Sequence, residues 1–270
     1  MSHFFLIIQI KLLAKFFPKS AYRCLKTKLL APKTSDTKWP KGVKRIVFTT
    51  RYGKVRTYQH GKGKCIWLIH GWSDAYQFWP LMQKLAKQGY CCIAMEMLPD
   101  NKAHNRLFSL ANWTNVFDVA ARSVPEPNHV LAHGLGASII GNSQWLTEYD
   151  EDLTLVSPAL DLSTSLDMFF NRHGLPNSML KKLKSETYIN DNVSIKGLNA
   201  TPGIEKFDGR LTVFYSRQDE TSTVKAIKRL SDKSNRKIVQ FKGAKTMRIM
   251  NSRSLVSVIK QQAKKLDMSI

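Results

Sequence analysis

A chain of 270 residues with 43% hydrophobic and 10% aromatic residues is long enough to bury one large α/β core, and that composition excludes intrinsic disorder, a collagen-like repeat and a disulfide scaffold. The net charge of +22 is unevenly spread: the balance is +15 over residues 1–64, −3 over 65–204 and +10 over 205–270. Two basic ends around a slightly acidic middle suit either a solvated, solubilising surface or attraction to an anionic one, whether membrane or nucleic acid.

No zinc-finger, RRM-like or bZIP-like pattern accompanies the charge, so specific nucleic-acid recognition is not expected. The four cysteines, Cys24, Cys65, Cys91 and Cys92, form no CxxC pair and have no Cys/His spacing suited to zinc. They read as buried, reduced thiols of a cytoplasmic protein, with no metal and no cofactor.

In chain order, the first element is the apolar segment Phe4–Phe17. It runs fourteen residues and is interrupted by Lys11 and Lys15, whereas a spanning helix needs about twenty apolar residues. Met1-Ser2-His3 lacks the basic start of a secretion signal and no small-x-small cleavage site follows. On a helix Lys11 and Lys15 fall on one narrow stripe, with Lys19 a turn further on, beyond Pro18. Two settings suit such a helix: an anchor at the inner face of a membrane, through residues 4–30, or docking on the domain's own surface. A second helical stretch near Ala21–Leu30 completes an N-terminal extension over residues 1–40, which ends in a loop marked by Pro32, Trp39 and Pro40.

Short β-rich runs then alternate with helical patterns. The strands are expected at Lys44–Thr50, Val55–His60, Cys65–His70, Tyr90–Glu96, His129–His133, Leu153–Ser157, Leu211–Ser216 and Ile238–Phe241. Helices are expected near Tyr76–Lys87, Leu107–Ser123, Gly136–Thr147, Ser222–Ser231 and Asn251–Leu266. This alternation predicts an α/β domain around a mainly parallel, eight-stranded sheet, built from residues 41–158 and 203–270. Residues 159–202 break the rhythm and read as a small helical lid over the carboxyl edge of the sheet.

Two strand ends carry the chemistry: Ile66-Trp67-Leu68-Ile69-His70-Gly71-Trp72-Ser73-Asp74 and His129-Val130-Leu131-Ala132-His133-Gly134-Leu135-Gly136-Ala137. Each is an apolar strand running into a glycine-containing turn and then a helix. In a parallel sheet both turns fall at the carboxyl edge, where open α/β sheets bind ligands.

These segments resemble the α/β-hydrolase family. His70-Gly71 matches its oxyanion-hole loop, and Ala132–Ala137 its nucleophile elbow. Leu155-Val156-Ser157-Pro158, Val213–Asp219 and Gly243–Met250 match later landmarks in the same order. The resemblance, closest to bacterial members with a His-Gly-Trp-Ser loop, implies the α/β-hydrolase fold with helices on both faces. It also implies ester-hydrolase ancestry and oxyanion donors from the backbone N–H groups of Trp72 and Leu135, with His70, Gly71 and His133 around them.

The departures bear on activity. Gly134 stands where the family has its serine, and glycine offers no nucleophile but takes up a strained turn without steric cost. Thr246 stands at the histidine position, and no histidine follows His173 anywhere in the chain. Asp219 alone keeps its triad position, where it also suits the cap of a helix starting near Ser222. His70 and His133 suit structural hydrogen bonding at the strand ends. Ser73, Ser138, Ser143, Cys91 and Cys92 have no evident base to activate them.

Three functions follow as expectations. The first is a catalytically degenerate α/β-hydrolase-fold protein binding a small apolar, carbonyl-bearing or ester-like ligand, or a partner. The second is an enzyme that keeps the pocket and uses an unusual catalytic group, with Asp219, Glu96, His70 and His133 as candidates. The third is a basic protein that adheres to an anionic membrane surface. Oligomeric state is left open by the sequence.

Overall fold

The computed structural model describes residues 3–29, 37–50, 53–70, 74–96, 110–191, 198–217, 224–242, 249–250 and 252–265. The chain opens with helix α1 (His3–Phe16) and helix α2 (Pro18–Cys24), which continues into a π-helical turn over Leu25–Leu29. Helix α2 starts three residues before the sequence expectation. Pro18 sits in its first turn, where the missing proline N–H has no intrahelical acceptor to satisfy.

Eight strands follow: β1 (Lys44–Thr50), β2 (Gly53–Gly61), β3 (Lys64–Ile69), β4 (Tyr90–Glu96), β5 (His129–His133), β6 (Asp152–Val156), β7 (Arg210–Ser216) and β8 (Arg236–Phe241). They form one sheet in the order β1-β2-β4-β3-β5-β6-β7-β8. Strand β2 pairs antiparallel with both β1 and β4, and every other pairing is parallel. The inner strands are buried along their whole length, as their unbroken apolar runs require when helices cover both faces.

The pleat sends alternate side chains to opposite faces. Cys65, Trp67 and Ile69 of β3 pack with helix α4 (Leu110–Ala121), helix α5 (Leu135–Gly141) and helix α9 (Val224–Arg229). Ile66 and Leu68 pack on the other side, with helix α3 (Trp79–Ala86) and helix α10 (Arg253–Lys265). All four cysteines are buried and unpaired by disulfides.

Between β6 and β7 the lid region contains helix α6 (Leu162–His173) and helix α7 (Asn177–Asp191), followed by helix α8 (Thr201–Lys206). The Asp161 carboxylate caps α6 by accepting from the Thr164 N–H at 3.0 Å, and Gly174 ends it in the left-handed conformation at φ 58°. Helices α1 and α2 pack on this pair: Leu6, Ile7, Ile10, Ala21 and Leu25 share a buried cluster with Phe170, Leu175, Met179 and Leu180. The N-terminal helix is thus docked on the domain's own lid, one of the two settings the sequence left open.

At the amino edge of the sheet, opposite the lid, Asp152 and Arg210 are cross-strand partners on β6 and β7. Arg210 Nε and Nη2 donate to the two carboxylate oxygens of the fully buried Asp152 at 2.7 Å each. The planar guanidinium fork matches the carboxylate, while Tyr149 donates its hydroxyl to the Asp152 carbonyl at 3.0 Å. The Arg210 side chain is 37% exposed while Asp152 is fully buried, so the pair is partly screened by solvent, but its removal leaves a buried carboxylate without its cation. Arg210→Ala is expected to lower the unfolding free energy by about 2 kcal/mol. Arg210→Lys should recover only part of the loss. Urea denaturation checks this, and an Arg210→Ala midpoint equal to wild type would refute it.

Candidate functional site

The chain leaves β3 toward β4 on one side and returns across the sheet to β5 on the other, so the carboxyl ends of β3 and β5 form a topological switch point, the place where open α/β sheets bind ligands. His70 follows directly on β3, and His133-Gly134 close β5. The structure therefore brings His70, His133, Gly134 and Leu135 to one edge.

Gly134 is the point on which this edge turns. It is the N-cap of α5 with φ 54° and ψ −116°, a conformation that L side chains adopt only under strain. Its N–H donates to Val156 O at 3.0 Å. Its carbonyl accepts from the Ala137 N–H at 3.2 Å and from the Ala159 N–H at 3.0 Å. The ends of β5 and β6 and the first turn of α5 are tied at this residue, so the turn is held by main-chain bonds although no side chain projects from it.

A second glycine makes the turn compact. A Cβ on Gly136 would lie 2.5 Å from Ile69 O and 2.8 Å from His70 O, so only glycine lets α5 lie against the end of β3. Leu135 occupies the first position of α5, where a backbone N–H has no acceptor within the helix. Ser138 is buried and donates its hydroxyl to Ala159 O, and Ser143 donates to Ile140 O at 2.6 Å, so both serines serve the packing of α5.

His70 is buried, with its ring edge-on to Trp113 at 6.1 Å between centroids. His133 Nδ1 is fully enclosed and meets no hydrogen-bond partner among the described residues. Loss of solvation, reinforced by the neighbouring His70, pushes His133 down to about 4, so its ring is neutral at pH 7. The same physics holds His129 at about 3, where burial acts first and the Arg210 charge second.

Ser157 is a feature of this edge that sequence reasoning passed over. It directly follows β6, is buried, and takes a positive φ of 46°, with its N–H bonded to Phe214 O at 2.8 Å. The Ser-Pro pair after an apolar strand was the available signal. Glu96, at the end of β4, is engaged elsewhere: its carboxylate accepts from Tyr58 at 3.0 Å and Arg56 at 3.3 Å. Cys65 and Cys92 are poor nucleophiles, since burial pushes Cys65 up to about 12 and raises Cys92 as well.

Gly71, Trp72, Asp219 and Thr246 lie outside the described residues. Among the described residues no group of three or more His, Cys, Asp or Glu could hold a metal ion.

With that geometry in place, comparison with solved structures gives the fold its class. An esterase from Pyrococcus furiosus is similar with a TM-score of 0.63 at 15% identity, over 88% of this chain and 98% of that one. A membrane phospholipase A described as a bacterial virulence factor is similar with a TM-score of 0.58 at 12% identity, over 98% and 97%. The thioesterase domain of a curacin biosynthetic pathway matches at 0.57 and 15% identity, over 81% and 99%. No protein-family model and no curated protein matches the sequence. The chain has the α/β-hydrolase fold.

The depressed histidines set a pH dependence. Each folded value lies below the unfolded value of about 6.5, so as pH falls from 6.5 toward 4 the unfolded chain binds protons that the native state refuses. Stability is therefore full above about pH 6.5 and falls by about 1.4 kcal/mol per pH unit per histidine below it. In His133→Gln the acid slope should lose one proton's share, measured from urea midpoints between pH 7 and 4.5. Ring C–H shifts in the wild-type chain offer a second check: a His133 signal titrating near 6.5 would overturn the assignment.

Proposed function

We propose that this chain is a ligand-binding protein of the α/β-hydrolase fold that receives a small apolar molecule bearing a carbonyl, ester or carboxylate at the carboxyl ends of β3 and β5, without serine-type turnover. Gly134 carries the reading: it holds the elbow backbone at φ 54° and ψ −116° where a nucleophile would stand. A serine there would attack a carbonyl; glycine supplies only the turn.

The residues present support binding better than turnover. The first turn of α5 presents backbone N–H groups at this edge, a surface suited to an oxygen acceptor. His133, neutral over the physiological range, offers hydrogen-bonding capacity without charge, and at about 4 it is too weak a base to activate a hydroxyl at pH 7. The histidine that would complete a triad has no counterpart after His173 in the sequence. Esterase, thioesterase and phospholipase activities in the similar structures suggest acyl compounds as the ligand class.

A second reading, an enzyme with an unusual acid or base, draws on the paired burial of His70 and His133. Hydrolysis of short- and medium-chain p-nitrophenyl esters separates the two. The wild-type chain is expected at background, while Gly134→Ser combined with Thr246→His should rise at least about ten-fold above it. Wild-type turnover abolished by Asp219→Ala would overturn the binding reading and favour the second.

A further inference from the structure

Six of the nine large hydrophobic side chains exposed among the described residues lie within residues 4–17. Phe5, Ile8, Leu12 and Phe16 follow one another at helical spacings of three and four, so they form a single stripe along α1, exposed by 38% at Ile8 and 76% at Phe16. Phe4 and Phe17 extend the patch at its two ends. This stripe is not the docking face of the helix. Leu6, Ile7 and Ile10, on the opposite side, are the ones buried against α6 and α7. Helix α1 is thus apolar on both sides and pinned on one.

The surroundings are uniformly basic. Lys11, Lys15, Lys19, Arg23, Lys26 and Lys28 fall in the first 29 residues, and the first acidic residue is Asp36. Lys11 lies over the end of α6, where a Cβ on Gly174 would come 3.2 Å from its Nζ. Lys15 and Lys19 are exposed beside the apolar stripe. On the lid itself, Lys182 sits over the Tyr22 ring at 4.5 Å, adding a further cation to the same side.

From this placement we propose that α1 and α2 seat the protein on an anionic phospholipid bilayer. Phe5, Ile8, Leu12 and Phe16 enter the acyl boundary, and Lys15 and Lys19 meet the headgroups. Charge complementarity selects this occupant. A second copy would bring six Lys and Arg side chains against six, a like-charge contact that disfavours pairing through this face. A bilayer supplies both things the face lacks, an apolar phase for a convex aromatic stripe and negative charge for the lysines around it. The helix lies along the interface and does not cross it: its 14 residues span about 21 Å, against a hydrocarbon core of about 30 Å. No helix among the described residues is long and apolar enough to cross a membrane. Because the buried side of α1 is part of the lid cluster, attachment also fixes the lid against the membrane. This inference stands apart from what the elbow binds.

Vesicle co-sedimentation of the full chain tests it, using phosphatidylcholine vesicles with and without about 30% phosphatidylglycerol. The wild-type chain should bind the anionic vesicles and lose about ten-fold in affinity between low and high salt, as screening removes the headgroup attraction. Phe5→Ser combined with Leu12→Ser and Phe16→Ser changes only exposed side chains. It should keep the wild-type melting temperature and lose at least about ten-fold in binding. Lys15→Gln with Lys19→Gln should lose several-fold on anionic vesicles and nothing on neutral ones. Wild-type chain left in the supernatant would overturn the proposal, as would wild-type binding by the triple serine variant, which would put attachment down to diffuse charge elsewhere. A dimer seen by light scattering, dissolved by the triple variant and indifferent to vesicles, would overturn it in favour of a second copy.

Discussion

The structure turns on the close approach of α5 to the sheet. This seven-residue helix is buried at every position, and backbone meets backbone on two of its sides. At one end Gly136 lies against the carbonyls that finish β3. At the other, a Cβ on Gly203 would come 1.9 Å from Gly141 O, so α8 also docks on α5 without a side chain between them. Such contacts leave no latitude for the turn that feeds the helix, and Gly134 must take the conformation it does. The turn between β5 and α5 is a consequence of this packing, and its main-chain bonds do not depend on the side chain at position 134.

The backbone geometry of this turn is separable from the chemistry of the residue that occupies it. A non-glycine residue with φ near +54° and ψ near −116° costs on the order of 1–3 kcal/mol, strain tolerated where a nucleophile must project from the turn. Glycine removes the strain and the nucleophile together. The three hydrogen bonds at Gly134, to Val156, Ala137 and Ala159, are all main-chain bonds and are indifferent to the side chain. The buried histidines have a depressed affinity for protons chiefly because they are enclosed, with the Arg210 charge adding to the effect at His129 and His70 adding to it at His133.

Much of this architecture was legible in the sequence. Strands β1, β4 and β5 begin and end where expected: β4 and β5 because runs buried on both faces leave little choice of boundary, and β1, an edge strand with no fully buried residue, because its β-branched and aromatic run is bounded by polar residues. The helix expected over Gly136–Thr147 is cut short: α5 ends at Gly141, and a separate 3₁₀ turn forms at Trp145–Thr147. Asn142 ends it by donating its side-chain amide to Ser138 O at 2.8 Å, a local bond that competes with continuing the helix. At the carboxyl edge, the strand-to-glycine turn at Gly134 and the positions of His70 and His133 were legible from the sequence, whereas Ser157 was legible only as part of a Ser-Pro landmark and its positive φ was not. The N-terminal helix could not be assigned a single environment from its pattern, since it has two apolar sides and only three-dimensional packing shows which one the lid covers.

The lid is where these two regions meet. Leu166 of α6 packs both against the main core, with Trp113 and Leu160, and against the cluster that holds α1. Ala159 and Leu160, the first two residues of the 159–202 insertion, are fixed by the Ala159 N–H to the Gly134 carbonyl and by the Leu160 carbonyl to the Ala200 N–H near its far end. The lid therefore has rigid backbone attachments at its base and side-chain packing against the N-terminal helices on its outer side. Backbone hydrogen bonds resist sliding more than apolar contacts do, because apolar packing is non-directional. The α1–α6–α7 contact is therefore the looser attachment of residues 159–202, and the Gly134 turn the firmer one.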